Sequence, residues 1–192
     1  MKTVILDQPG ALRFLHTDEP HSPGPGEALV QVRQVGVCGT DLHAYRGRQP
    51  FFSYPRILGH ELGVEVLSVG EGVSGITPGD RCSVEPYLNC GFCRACLAGR
   101  TNCCSQLQVL GVHTDGGLRE RILLPSNKLH RSSVLSFEQL ALVETLGIGS
   151  HAVTRSGIEK GQTALIFGAG PIGLATAQFA LLAGADVYVA DV

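Results

Sequence analysis

Tryptophan is absent from the 192-residue sequence, methionine occurs once, and aromatic residues make up only 6%. Charge is sparse as well. Charged residues are 17% of the chain, and 15 basic against 17 acidic side chains leave a net charge of −2. With no basic excess and few aromatic platforms, a nucleic-acid or anionic-membrane surface is excluded as the expected role. Long apolar runs are also missing. The longest, residues 172–187, is interrupted by Thr176, Gln178, Gly184 and Asp186 and is too short to cross a bilayer. The first residues pass straight from Met1 into a strand-like stretch, without the charged and then apolar regions of an export signal. What is present is a globular composition. Hydrophobic residues at 44% can build a core, which excludes a disulfide-held miniprotein and a disordered tail.

Two residue types stand out by abundance. Glycine occurs 25 times without a collagen period, which points to tight turns and backbone-lined sites. Cysteine occurs seven times, with five copies crowded into residues 90–104. An odd number of clustered cysteines in a chain without an export signal reads as metal binding in a reducing, cytoplasmic setting.

The first 150 residues or so alternate like short strands, at residues 3–6, 28–37, 63–69, 81–84 and 118–124, separated by glycine- and proline-rich turns. That spacing predicts a barrel or a pair of packed sheets. Residues 137–152 then read as a helix. A buried-type strand at 163–167, a glycine-rich turn, an apolar helix at 171–182 and a second strand at 186–191 form one βαβ unit. The expected domains are therefore 1–152 and 153–192.

Three groups of residues carry chemistry. Cys90, Cys93, Cys96 and Cys104 have the spacing C-x2-C-x2-C-x7-C, on a lobe of about residues 88–106. Four thiolates so spaced can close a tetrahedron around Zn²⁺ and leave no open position, which makes the expected metal structural. A redox or disulfide cluster is the plainer alternative; an iron–sulfur cluster fits less well, because the spacing differs from ferredoxin runs. Cys103 is the spare thiol. The second group is Cys38, His60, Glu61 and Glu144. Each alone has an ordinary reading, a small buried hydrophobe or a hydrogen-bonded ring. Together they offer the mixed ligands of an open zinc site. The third is Gly168-Ala169-Gly170-Pro171-Ile172-Gly173, a G-x-G-x-x-G between a strand and a helix, with Asp191 ending the next strand. That context fits a dinucleotide whose pyrophosphate meets the helix N-terminus and whose ribose meets the acid, and the acid favours NAD over NADP.

With these residues in view, the chain resembles the zinc-dependent medium-chain alcohol and polyol dehydrogenases, in the branch of sorbitol and threonine dehydrogenases. The matching stretches are residues 36–43, Gly59-His60-Glu61, the four-cysteine lobe, residues 111–117, Val143-Glu144 and the Gly168–Gly173 turn. The resemblance implies a GroES-like β-barrel catalytic domain followed by the start of a Rossmann coenzyme domain. It implies one catalytic and one structural zinc, NAD as cofactor and a small-molecule alcohol as substrate, with a homo-oligomer, dimer or tetramer, for the full-length parent. Carried over position by position, Cys38 and His60 are implied zinc ligands, with Glu61 beside them. Asp41 would hold the His60 ring. Thr40 would meet the substrate hydroxyl, and His43 would pass its proton outward. Glu144 stands where other alcohol dehydrogenases place a third cysteine. Arg46 and Tyr54 are candidates for the substrate pocket. The implied reaction moves hydride from a secondary alcohol of a polyol, sugar or hydroxy acid to NAD. An L-threonine-type dehydrogenase and an inactive zinc-binding fragment are the alternatives. Relatives of this family run to nearly twice this length, so the sequence reads as an N-terminal part.

Overall fold

Alternation in the first part of the chain becomes paired strands. The computed structural model describes residues 1–192 and divides into two compact units, Met1–Ala141 and Leu142–Val192. In the first unit, β1 (Lys2–Gln8) and β2 (Ala11–His16) form a hairpin. Then follow β3 (Glu27–Gly36), α1 (Gly39–Tyr45), β4 (Glu61–Val69), β5 (Arg81–Val84), β6 (Tyr87–Leu88), α2 (Arg94–Leu97), β7 (Gln108–Val109), β8 (Arg121–Pro125), β9 (Leu129–Arg131) and α3 (Phe137–Ala141). Strands β8-β3-β4-β5-β9 form one antiparallel sheet in that order, and β6 pairs with β7.

The inward positions of this sheet explain its register. Ala28, Val30, Leu62, Val64, Val66, Cys82, Val84, Ile122 and Leu124 form one buried cluster. A one-residue slip would turn this whole set toward water. Cys82 is fully buried there, and desolvation lifts its thiol to about 11, so it belongs to the core. A smaller core joins Leu6 of β1, Ala44 of α1 and Leu58, with Phe52, Tyr54 and Leu118 packed on it. It fixes α1 beside the segment leading into β4.

The strand expected at 118–124 begins only at Arg121. Residues before it serve other partners: Val4 donates to the Leu118 carbonyl at 2.8 Å, and Leu118 donates to Leu58 at 2.9 Å. The helix expected at 137–152 is two helices, α3 and α4 (Val143–Ser156), changing at Leu142. The first packs on β3, β4 and β5; the second packs on α5 (Pro171–Leu182). This change coincides with the division between the units, so residues 142–152 belong to the second unit.

In the second unit β10 (Thr163–Phe167) and β11 (Asp186–Ala190) pair in parallel through α5, as a βαβ crossover requires. Its buried residues are mostly small, among them Ala175, Ala177, Ala180 and Ala185. No helix of the chain is long and apolar enough to cross a membrane.

Candidate metal centres and a dinucleotide turn

The four-cysteine lobe has almost no core. Helix α2 buries none of its residues. Its contacts converge on sulfur. Cys90, Cys93, Cys96 and Cys104 bring their Sγ atoms within 4.8 Å of one another. Cys104 and Cys90 are 3.5 Å apart, and Cys90 and Cys96 are 4.0 Å apart. A tetrahedron with Zn–S bonds of ~2.3 Å has sulfurs about 3.8 Å apart, whereas a disulfide would need ~2.05 Å. The geometry fits a metal held by four thiolates, and all seven cysteines are free of disulfides. Backbone N–H groups converge on the sulfurs: Cys93 donates to Cys90 at 3.4 Å, Cys90 to Cys104 at 3.4 Å and Gln106 to Cys104 at 3.3 Å. Hydrogen bonds of the Cys96 and Ser105 backbone draw the Cys93 thiol down to about 5. That of Cys90 draws Cys104 down as well. Burial pushes Cys96 up to about 11. Cys103 is exposed and stands outside the cluster.

One set of lobe contacts has no signal in the sequence. Lys128, in the 3-10 turn before β9, is buried and donates to Glu85 and, at 2.8 Å, to Asn89 Oδ1. Asn89 donates in turn to Cys96 Sγ at 3.7 Å.

The second group is assembled by long-range packing. Cys38 is the N-cap of α1, and His60 and Glu61 enter β4. Their ligand atoms also lie within 4.8 Å of one another. Both His60 and Glu61 are buried, whereas Cys38 is partly open. A thiol, an imidazole and a carboxylate at that spacing suit zinc, which accepts all three donors. Asp41 organises the group. Its Oδ2 accepts the Cys38 N–H at 2.9 Å, and its Oδ1 lies 3.7 Å from His60 Nδ1, with both side chains only 8% exposed. Asp41 Oδ1 has no hydrogen-bond partner of its own within 3.5 Å. Glu61 lies directly over Gly36 of β3, its cross-strand neighbour, where any side chain would collide with the carboxylate.

The glycine-rich stretch 111–117 supports this centre from below. Gly116 donates to the Ile57 carbonyl at 2.7 Å and Gly117 to that of Gly59 at 2.8 Å. A Cβ on Gly116 would strike the carbonyls of Gly59 and Leu58, so the backbone needs glycine to approach this closely. Arg119 ties the same turn down through the carbonyls of Gly116 and Asp115, at 3.0 and 3.2 Å. His113 is exposed and caps the local turn by accepting the Val109 N–H at 3.0 Å.

Thr40 and His43 lie on α1, three residues apart, so they share a face; Thr40 is half-buried and His43 exposed. The Tyr54 hydroxyl donates to the Ala44 carbonyl and so clamps α1 in place. Arg46 is exposed at the C-cap of α1. Glu144 belongs to the second unit, half-buried in the first turn of α4.

The second unit holds the third group. Gly168 turns the chain at φ +102°, and its N–H bonds Ala190 at 2.8 Å. Gly170 is the N-cap of α5 and Pro171 its first residue, the place where the missing proline N–H costs nothing. Ile172 follows, exposed. A Cβ on Gly173 would collide with the Gly168 carbonyl, so glycine is required for the helix to start this close to the strand. Asp191 Oδ2 accepts the Ala169 N–H at 2.6 Å, and that bond, with the Val192 N–H, holds the carboxyl below its usual range. The acid therefore sits ionised at the mouth of the turn.

Known proteins give the same picture. The L-galactonate-5-dehydrogenase of Escherichia coli K12 is 44% identical over all of this chain and 56% of its own length. A crystal structure from E. coli CFT073, of an alcohol dehydrogenase complexed with NADH, superimposes with a TM-score of 0.92 at 34% identity, over 100% of this chain and 56% of that one. A Sinorhizobium meliloti 1021 protein solved with NADP bound gives a TM-score of 0.87 at 40% identity, over 98% and 55%. The chain thus spans a little over half the length of these relatives. Its fold is a GroES-like barrel domain followed by the first βαβ unit of a Rossmann domain. Residues 24–134, more than half of the chain and including Cys38, His60, Glu61 and the whole cysteine lobe, match the alcohol dehydrogenase GroES-like domain, and the chain belongs to that family.

Proposed function

We propose that this chain carries the catalytic metal centre of a zinc-dependent oxidoreductase that transfers hydride from a secondary alcohol of a polyol, sugar or hydroxy acid to NAD. The observation that carries the proposal is the meeting of Cys38, His60 and Glu61 around one point, with Asp41 behind them. The 44% identity to an L-galactonate-5-dehydrogenase supports a sugar acid within that substrate class. Cys90, Cys93, Cys96 and Cys104 would hold a second, structural zinc. A cytoplasmic location and a homo-oligomeric parent, dimer or tetramer, complete the reading.

Bound at the first centre, zinc would polarise the alcohol oxygen and lower its pKa. The residues supply the rest. With Asp41 Oδ1 3.7 Å from Nδ1 of His60, Nε2 would be the nitrogen for the metal, and the carboxylate's charge would favour the tautomer protonated at Nδ1. Cys38 and Glu61 offer the remaining donors. Thr40 would accept the proton of the substrate hydroxyl at Oγ1, and His43, one turn away and exposed, would hand it to water. In the second unit, Gly168, Gly170, Pro171, Ile172 and Gly173 would receive the pyrophosphate at the N-terminus of α5. Asp191 would accept hydrogen bonds from the ribose hydroxyls and repel a 2′-phosphate, which favours NAD over NADP.

The test is elemental zinc analysis of the chain and of Cys38→Ser, combined with an NAD-reduction screen over polyols, sugar acids and L-threonine. About two zinc ions per chain falling to about one in the variant, with any turnover abolished, is the expected result. Undiminished zinc or retained turnover in Cys38→Ser would overturn the assignment.

A further inference from the structure

The buried cation nearest the cysteine lobe comes from outside it. Lys128 is 39 residues from Asn89, in the 3-10 turn that leads into β9, and only 7% of it is exposed. A buried ammonium must be paired and hydrogen-bonded to be tolerated. Here it donates to the carboxylate of Glu85 and to the side-chain oxygen of Asn89. Its own backbone carbonyl also accepts the Glu85 N–H at 2.8 Å, so the contact is anchored twice. Glu85 follows β5 and Asn89 follows β6, so both lie on the ascending stem of the lobe.

The consequence concerns the asparagine. An amide side chain can flip, exchanging its donor and acceptor ends. An ammonium only donates, so it fixes Oδ1 of Asn89 toward Lys128. The NH₂ end is then forced to the opposite side, where it meets Cys96 Sγ at 3.7 Å. Cys96 is therefore the sulfur this amide serves.

We propose that Lys128 is a positioning residue for the four-cysteine centre: it locks the Asn89 amide so that its N–H donates to the Cys96 thiolate. This rests on the reading of the lobe as a zinc site. Partners behind metal ligands are worth roughly 10–100-fold in metal affinity.

The test uses the whole 192-residue chain. Zinc release to a chromophoric chelator is timed for the native sequence, Lys128→Met and Asn89→Asp. Cobalt-loaded samples give the sulfur-to-cobalt charge-transfer bands. Asn89→Asp still accepts from Lys128 but turns an acceptor toward the thiolate, so it removes the donor while keeping size. Release from both variants is expected to be about 10–100-fold faster. The charge-transfer band should move to lower energy, because a thiolate without its hydrogen bond gives up electron density more readily. Release within about twofold of the native chain and unshifted bands in both variants would overturn the role of Lys128. Failure of the zinc reading looks different: the native chain and Cys104→Ser would then hold the same amount of zinc.

Discussion

The two candidate metal centres of the first unit are built in opposite ways. The four-cysteine lobe is local: its ligands fall within residues 90–104, and the polypeptide between them buries almost nothing. The Cys38–His60–Glu61 centre is global. One ligand caps a seven-residue helix, two enter a sheet strand, and the small core of Leu6, Ala44 and Leu58 brings them together. In the first case the metal would order the chain. In the second, packing of the sheet and α1 would place the ligands.

That contrast can be broken most severely at the lobe. Cys104→Ser should remove one zinc ion and the order of residues 88–106, since metal binding at such sites contributes about 10 kcal/mol to local folding. Hydrogen exchange should show loss of protection there while β3 and β4 stay protected. A lobe that stays ordered without metal would erase the distinction.

The global centre should respond to its scaffold instead. Leu62 is 1% exposed and neighbours Glu61 in β4. Leu62→Ala should cost about 2–5 kcal/mol of stability, read by denaturant unfolding. It should weaken metal binding at Cys38–His60 and leave the lobe's zinc content unchanged. Equal weakening of both sites would show that they share a scaffold.

A finer effect is expected at Asp41. Asp41→Asn keeps the size of the side chain but removes the negative charge beside His60 Nδ1. Metal affinity at that centre should fall roughly 10–100-fold, measured by competition with a chelator, with no change at the lobe.

The smallest effect is a pH dependence in the metal-free protein. The Cys93 thiol is held at about 5, below its ordinary value of 9.0. A depressed folded-state pKa contributes stability that is full above the unfolded value and lost as pH falls. Residual order of the metal-free lobe should therefore decline between pH 9 and about 5. Alkylation near pH 7 should modify Cys93 ahead of the buried Cys82, whose thiol is pushed up to about 11. Equal labelling of Cys93 and Cys82 would contradict this.

Legibility followed the same divide. Strand β10 and helix α5 have the limits that periodicity and the glycine-rich turn indicate, because strand, turn and helix are contiguous. Helix α1 is invisible to periodicity: it is only seven residues long, and Cys38 is not a usual cap. Strand β2 was equally hidden, since it exposes consecutive residues and never alternates cleanly. The change from α3 to α4 at Leu142 leaves no mark in the sequence either, because each half is apolar toward a different core.

By itself the sequence determined what depends on spacing: four thiolates at tetrahedral reach, a turn that only glycine can make before α5, and an acid one strand later. Tertiary structure alone decided what depends on register and long-range packing. It set Glu61 opposite Gly36, Asp41 behind His60, and Lys128 against Asn89 from 39 residues away. The reason is that local geometry is encoded in neighbouring dihedrals, whereas the meeting of distant side chains is encoded only in the burial of a shared core.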